Sequence, residues 1–267
     1  LAWSRGLGDV YKRQMLVNPA MMASARHDNI LIIGGGDGLA LRDVLTWNPK
    51  LVMLLDLDEE LVEFFTHSNR SNDNTAFIKM NRGSFSDPRV QTRFGDAWLG
   101  VDLLITEGKR FDTIIVDLPD PNHPDLNKLY STGFYNKLRN VLAGDGALVV
   151  QSTSPYHAKR TFLSIGKTID ASGFSQVNQY HANVPSFGEW GWTIAVPLGA
   201  APKTRIKNFK ELLPESWATQ EMINASFVFG HNFFSNKQQI KINRTNSNTM
   251  YQYHLQDWNS SSDTSRK

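Results

Sequence analysis

The chain of 267 residues contains no cysteine. Disulfides, thiolate nucleophiles and cysteine-based zinc sites are therefore excluded, and the composition fits a reducing compartment. Long apolar runs are also missing, since none approaches the roughly 20 residues of a membrane span. Charge of one sign is scarce. Lys plus Arg number 28 against 26 for Asp plus Glu, a formal charge of +2. No bulk field therefore points to nucleic acid or to a membrane surface. The seven histidines make no His-x-x-x-His or His-x-Glu spacing of the kind that marks zinc. Gly-x-Ser-x-Gly is absent too, which disfavours a serine hydrolase.

What is present is a hydrophobic content of 40%, enough for a core, and a regular alternation of strands and helices. Short apolar runs at 30–33, 51–55, 111–116 and 147–151 read as strands, and so does VQTRF at 90–94. Helical patterns follow at 39–47, 58–67, 132–146 and 156–173, the third closed by Gly144 and Gly146. Two late runs, 174–180 and 190–197, have no helix between them. The expected fold is α/β, a doubly wound, Rossmann-like sheet of seven strands, parallel except for an antiparallel edge hairpin. Residues 69–88 are polar and read as an irregular insertion. Four segments are expected along the chain. Residues 1–14 lack any strand or helix period and read as a non-native or disordered leader. Residues 15–200 form the main domain, 201–258 a helical or irregular extension packed on it, and 259–267 a disordered tail.

The chemistry gathers at strand ends. IIGGGDG sets Gly34, Gly36 and Gly38 between the first strand and a helix, where glycine permits a sharp turn and close approach of a ligand. Asp56 ends the second strand, where an acid commonly accepts hydrogen bonds from a ribose diol. Asp96 and Ala97 follow the third, within reach of an adenine amine. Together they outline an adenosine pocket. Asp37 inside the glycine turn would repel a phosphate and hold a cation, such as a sulfonium with an amine tail. After the fourth strand comes VDLPDPNHPD. Asp117 leaves the strand, Pro119 and Pro121 stiffen the backbone around Asp120, and Asp125 reads as solvated.

These motifs, with LYSTGFY, VVQSTSPY, PSFGEWGW and INR…YQYHLQDW, resemble the polyamine aminopropyltransferases, the spermidine synthases. The resemblance covers about residues 15–197 and is similar to the long bacterial form, whose catalytic domain follows a membrane-embedded half. It implies a sheet of the S-adenosylmethionine-dependent methyltransferase type. It implies that Asp117 activates the amine nucleophile, that Asp120 binds the acceptor diamine and that Asp37 binds the amine of the aminopropyl group. Asp56 would hold the ribose, Asp96 and Ala97 the adenine, and Pro124 would lie against the nucleoside. Gln151, Tyr156 and Glu189 are assigned to the acceptor channel. The family's Tyr-His-Glu before the Met-Leu segment is replaced here by Lys12, Arg13 and Gln14, and its N-terminal β-hairpin is missing, so the chain resembles a truncated form.

The implied reaction moves an aminopropyl group from decarboxylated S-adenosylmethionine, a co-substrate rather than a cofactor, to a diamine, with putrescine the expected acceptor. Methylthioadenosine leaves and spermidine forms. No metal is called for, because the sulfonium is already a good leaving centre. Small-molecule substrates are the expected partners, with no nucleic acid. The resemblance also allows a homo-oligomer, a membrane domain in a full-length parent, and a place in the cytoplasm or at the cytoplasmic face of a membrane. Two other readings stay open, an S-adenosylmethionine-dependent methyltransferase and a non-catalytic polyamine- or nucleoside-binding fragment.

Overall fold

Alternating residues of each central strand are apolar and buried on opposite faces, so the sheet must be covered on both sides. The computed structural model describes the backbone of residues 2–67, 74–185 and 187–264, with side chains between 8 and 259. Seven strands run in the order β3-β2-β1-β4-β5-β7-β6. They are β1 (Asn29–Gly34), β2 (Leu51–Asp56), β3 (Val90–Phe94), β4 (Phe111–Asp117), β5 (Leu142–Gln151), β6 (Gln176–Val184) and β7 (Gly188–Val196). The first five are parallel; β7 runs antiparallel to both β5 and β6. This is the expected doubly wound sheet with its edge hairpin.

Ten α-helices link and flank the strands among the described residues: α1 (Ala2–Ala23), α2 (Leu39–Leu45), α3 (Glu59–Thr66), α4 (Thr75–Met80), α5 (Ala97–Thr106), α6 (Thr132–Val141), α7 (Lys159–Asp170), α8 (Pro202–Lys207), α9 (Gln220–Ala225) and α10 (Thr249–Thr264). Ile30 and Ile32 pack with α1 and α2 on one face, and Leu31 and Ile33 pack with α5 and α6 on the other. Among the described residues no helix is long and apolar enough to cross a membrane.

The structure departs from four expectations. The segment 1–14 is not irregular, since α1 begins at Ala2 and continues through it. Tyr11 stacks on Trp217 with ring centroids 4.0 Å apart, and Gln14 Oε1 accepts the Trp217 N–H at 2.8 Å. Helix α6 stops at Val141, before the two glycines. Those belong to β5, where an added Cβ on Gly146 would stand 2.4 Å from the Asp112 carbonyl, so glycine there serves close strand approach rather than a helix end. The segment 69–88 contains α4 and a 3-10 turn at Ser84–Ser86, with 68–73 outside the described residues. Helix α10 carries on to Thr264 into the expected tail, of which 265–267 lie outside the described residues.

Helix α1 contains Pro19, which has no N–H to give to the Met15 carbonyl one turn earlier. That orphaned carbonyl is buried, and the Tyr180 hydroxyl donates to it at 2.8 Å. The bond ties α1 to the edge hairpin and fixes how α1 passes the carboxyl edge of the sheet. Tyr180→Phe removes the donor and leaves the carbonyl unsatisfied, so unfolding in urea should show a loss of about 1–3 kcal/mol. An unchanged midpoint would mean that the helix does not need this bond.

Candidate active site

Register brings three strand ends together. Gly34 pairs directly with Asp117 across β1 and β4, and Asp56 pairs with Phe94 across β2 and β3. At Gly34, with φ +78°, an added Cβ would lie 2.5 Å from the Asp117 carbonyl, so only glycine allows the turn and the close approach together. Between these strand ends lies a cavity of about 670 Å³. Gly34, Gly36, Asp37, Asp56, Asp96, Ala97 and Asp117 line it. Gly38, Asp120, Pro124, Gln151, Tyr156 and Glu189 do not.

One end suits a nucleoside. Asp56 is buried, its Oδ1 accepts the Asp58 N–H at 3.0 Å, and its Oδ2 faces Gly36, where an added Cβ would come within 2.9 Å. Burial pushes its carboxyl above the usual range, with the N–H groups of Asp58 and Gly36 pulling back. Asp96 caps α5 by accepting the Trp98 N–H at 2.8 Å, and its other oxygen pairs with Lys128. Burial pushes Asp96 up, but the Lys128 ammonium and the Trp98 N–H outweigh it and leave the carboxyl below its ordinary range. Asp96 is thus shared between a helix cap and a lysine, whereas the sequence assigned it to adenine.

The other end holds cations. Arg13, buried, sets its Nη2 2.8 Å from Asp37 Oδ2 and its Nε 2.5 Å from Asp117 Oδ2. The second contact is an ion pair without hydrogen-bond alignment, since neither atom has a partner in that geometry. Asp37 is anchored through Oδ1, which accepts the Leu39 N–H at 3.0 Å. Lys12 places its ammonium 4.8 Å from the Trp190 ring centroid and 5.8 Å from that of Phe187. Burial pushes Lys12 below its ordinary value, while the charges of Asp117 and Asp120 pull it back.

The remaining assigned residues do not line the cavity, each for a visible reason; Asp120 stands next to Pro119, which does, with its carboxylate held by Gln151 and Thr153. Gly38 caps α2, and an added Cβ would meet Phe85 at 2.7 Å, so it serves packing. Pro124 opens the 3-10 turn Pro124–Tyr130, from which Asp125, Leu126, Lys128 and Leu129 reach the cavity instead. Asp125 lines the rim with its side chain 89% exposed, so solvation did not cost it a place there. Gln151 turns away to Asp120 and Trp190. Tyr156 packs on His181 and Phe233, and Glu189 pairs with His181 at 2.7 Å, both on the outer side of the edge hairpin. Lys12, Arg13 and Lys128 were not anticipated as lining residues. The signal for the first two was their place where the family keeps Tyr-His-Glu. Among the described residues no cluster of His, Asp or Glu could hold a metal ion.

A family model for the spermine/spermidine synthase domain matches residues 9–208. The chain belongs to this family. It is 49% identical over 247 residues to a polyamine aminopropyltransferase of Shewanella oneidensis, covering 91% of this chain and 43% of that protein. It is 35% identical to polyamine aminopropyltransferase 2 of Ralstonia nicotianae, covering 94% of this chain and 46% of that one. The chain thus spans less than half the length of these curated relatives. The spermidine synthase of Thermotoga maritima superposes with a TM-score of 0.67 at 22% identity, over 87% of this chain and 75% of that one. A spermidine synthase in complex with the transition-state analogue AdoDATO gives 0.70 at 23%, over 87% and 76%. At such identities the likeness establishes the fold.

If Asp56 accepts two ribose hydroxyls, as the sequence reading expects, it must be ionised to do so, and nucleoside affinity should fall as pH drops through its raised pKa, earlier than for an ordinary carboxylate. Calorimetric titration with methylthioadenosine between pH 4 and 7, values chosen around the usual carboxylate range (~3.9), checks this. Asp56→Asn should bind weakly with no such pH dependence.

Proposed function

We propose that this chain carries the site for transfer of an aminopropyl group from decarboxylated S-adenosylmethionine to a diamine, with putrescine the expected acceptor. The observation that carries the proposal is one cavity with a ribose-type acid, Asp56, at one end and two acids, Asp37 and Asp117, at the other, the latter pair already holding a guanidinium. Family membership and the names of the curated relatives support the same reading, as does the neighbour crystallised with a transition-state analogue.

The chemistry follows from the groups present. A free alkylamine is protonated at neutral pH, with a pKa near ~10.4 by analogy with lysine. Asp117 binds the ammonium and accepts its proton, which frees the lone pair to attack the methylene beside the sulfonium. The carbon–sulfur bond breaks as the new carbon–nitrogen bond forms, and its electron pair leaves on methylthioadenosine. Holding amine and methylene in line supplies much of the acceleration. Asp37 holds the amine of the aminopropyl group. That acid also argues against the methyltransferase reading, because intact S-adenosylmethionine would bring a carboxylate towards it. Cytoplasmic placement, self-association and a membrane-embedded portion of a longer parent belong to the same proposal.

Asp117→Asn should abolish turnover in a chromatographic product assay with a panel of amines, yet leave methylthioadenosine binding intact. Turnover that survives would remove Asp117 from the role of base. Arg13 competes with the acceptor amine for Asp117 and with the aminopropyl amine for Asp37. Arg13→Gln should therefore tighten diamine binding by about tenfold or more (~1.4 kcal/mol), read by calorimetry on the nucleoside-bound chain. An unchanged affinity would show that the diamine does not use Asp117.

A further inference from the structure

We propose that Thr153 is a positioning residue whose hydroxyl, presented by a left-handed backbone, sets the Asp120 carboxylate to receive the acceptor amine. The proposal rests on the aminopropyl-transfer reading, in which Asp120 is the second acid of the loop. Thr153 is the second residue beyond β5, which ends at Gln151, and is fully buried. Its φ is +57°. That conformation is an outlier for a β-branched residue, whereas glycine takes it without strain. Glycine has no hydroxyl. Here the Thr153 hydroxyl donates to Asp120 Oδ2 at 2.9 Å.

The strained turn is held from three sides. The Thr153 carbonyl accepts the Gly191 N–H at 2.7 Å, the Ser152 N–H donates to the Gly191 carbonyl at 2.8 Å, and the Thr153 N–H donates to Gln151 Oε1 at 3.2 Å. Gln151 completes the arrangement. Its amide donates to Asp120 Oδ1 at 2.7 Å while its oxygen accepts the Trp190 indole N–H at 2.9 Å. Asp120 is therefore fixed at both oxygens by neutral donors. Asp37 and Asp117, by contrast, share a guanidinium. Neutral donors orient a carboxylate without cancelling its charge, and each oxygen keeps a lone pair for a ligand. A cation is already present on this side, since the Lys12 ammonium lies over the ring of Trp190, the residue at the far end of the same relay.

The test compares Thr153→Val, which keeps the branched shape and loses the hydroxyl, with Thr153→Ser, which keeps the hydroxyl. Thr153→Val should raise KM for the diamine by about tenfold, with kcat, methylthioadenosine affinity and Tm little changed. Thr153→Ser should restore KM to near the wild-type value. In an Asp120→Asn background the valine substitution should add less than about a twofold effect, because the group it positions is gone. A diamine KM unaffected by valine overturns the proposal, and so does a valine penalty of full size in the Asp120→Asn background. Diamine Kd on the methylthioadenosine-bound chain, by calorimetry, makes the same comparison without turnover. Wild-type chain that binds diamine but transfers nothing sinks the transfer reading, and the Kd of the valine variant then decides the role of Thr153. Wild-type chain that binds no diamine overturns both.

Discussion

A carboxylate at the end of a central strand, 2% exposed in its side chain, has to be given a cation. Asp117 is that group, and much of the site can be understood as the ways in which its charge is met. The parallel register sets Gly34 beside it and leaves room only for a residue without a Cβ. The glycine turn then carries Asp37 to the same place. Two acids so close attract any cation that can reach them. Arg13 of the same chain meets both.

That contact depends on α1. A helix of 22 residues with a proline inside it needs an outside partner for the carbonyl that the proline leaves unpaired. Tyr180 provides it from β6. Because the tie lies between the helix and the edge hairpin, the direction of α1 and the position of β6 and β7 are set together. Arg13 and Lys12, one turn or less before Met15, are delivered to Asp117 and to the ring of Trp190 as a consequence. Stability of the helix and occupation of the site are thus parts of one arrangement. The burial that lowers Lys12 towards neutrality is offset by the same acids that a diamine would use.

The sheet was legible in the sequence because its strands are short, apolar and bounded by turn residues, so period and punctuation agree. The cavity acids were legible for a related reason. Asp56 and Asp117 are the first polar residues after apolar runs, Asp96 follows a strand end and a glycine, and a parallel sheet places all such positions on one edge. The surroundings of Gln151, Tyr156 and Glu189 depend on contacts that the chain does not carry locally. No local pattern shows that Gln151 turns to Asp120 rather than into the cavity, because that choice is made by Trp190 on a strand antiparallel to its own. Glu189 and Tyr156 are likewise placed by contacts that no local pattern shows: Glu189 pairs with His181 across the hairpin, and Tyr156, in the loop after β5, packs edge-on against the same ring. The helix through 97–106 was missed because its apolar residues are nearly continuous and show little period, and the helix at the start because glycine and proline interrupt it.

The two aspartates of VDLPDPNHPD solve different electrostatic problems, and their surroundings differ accordingly. Asp117 is deeply buried, and its charge is met by an ion pair with Arg13 that lacks hydrogen-bond alignment; under the proposed reaction that pair yields to a better-fitting ammonium. Asp120 is only partly buried and can stay charged without a permanent counter-ion. Under the proposed reaction what it needs is a fixed direction, because a diamine presents its second nitrogen at a set distance from the first. Two prolines restrict the loop on either side of it, the Tyr130 hydroxyl donates to the Pro119 carbonyl at 2.6 Å, and the Gln151 amide donates to the Leu118 carbonyl at 3.1 Å. Backbone stiffness alone, however, leaves the carboxylate free to rotate about its own bonds. Removing that last freedom requires donors on both oxygens, and the structure supplies them at the cost of a strained threonine.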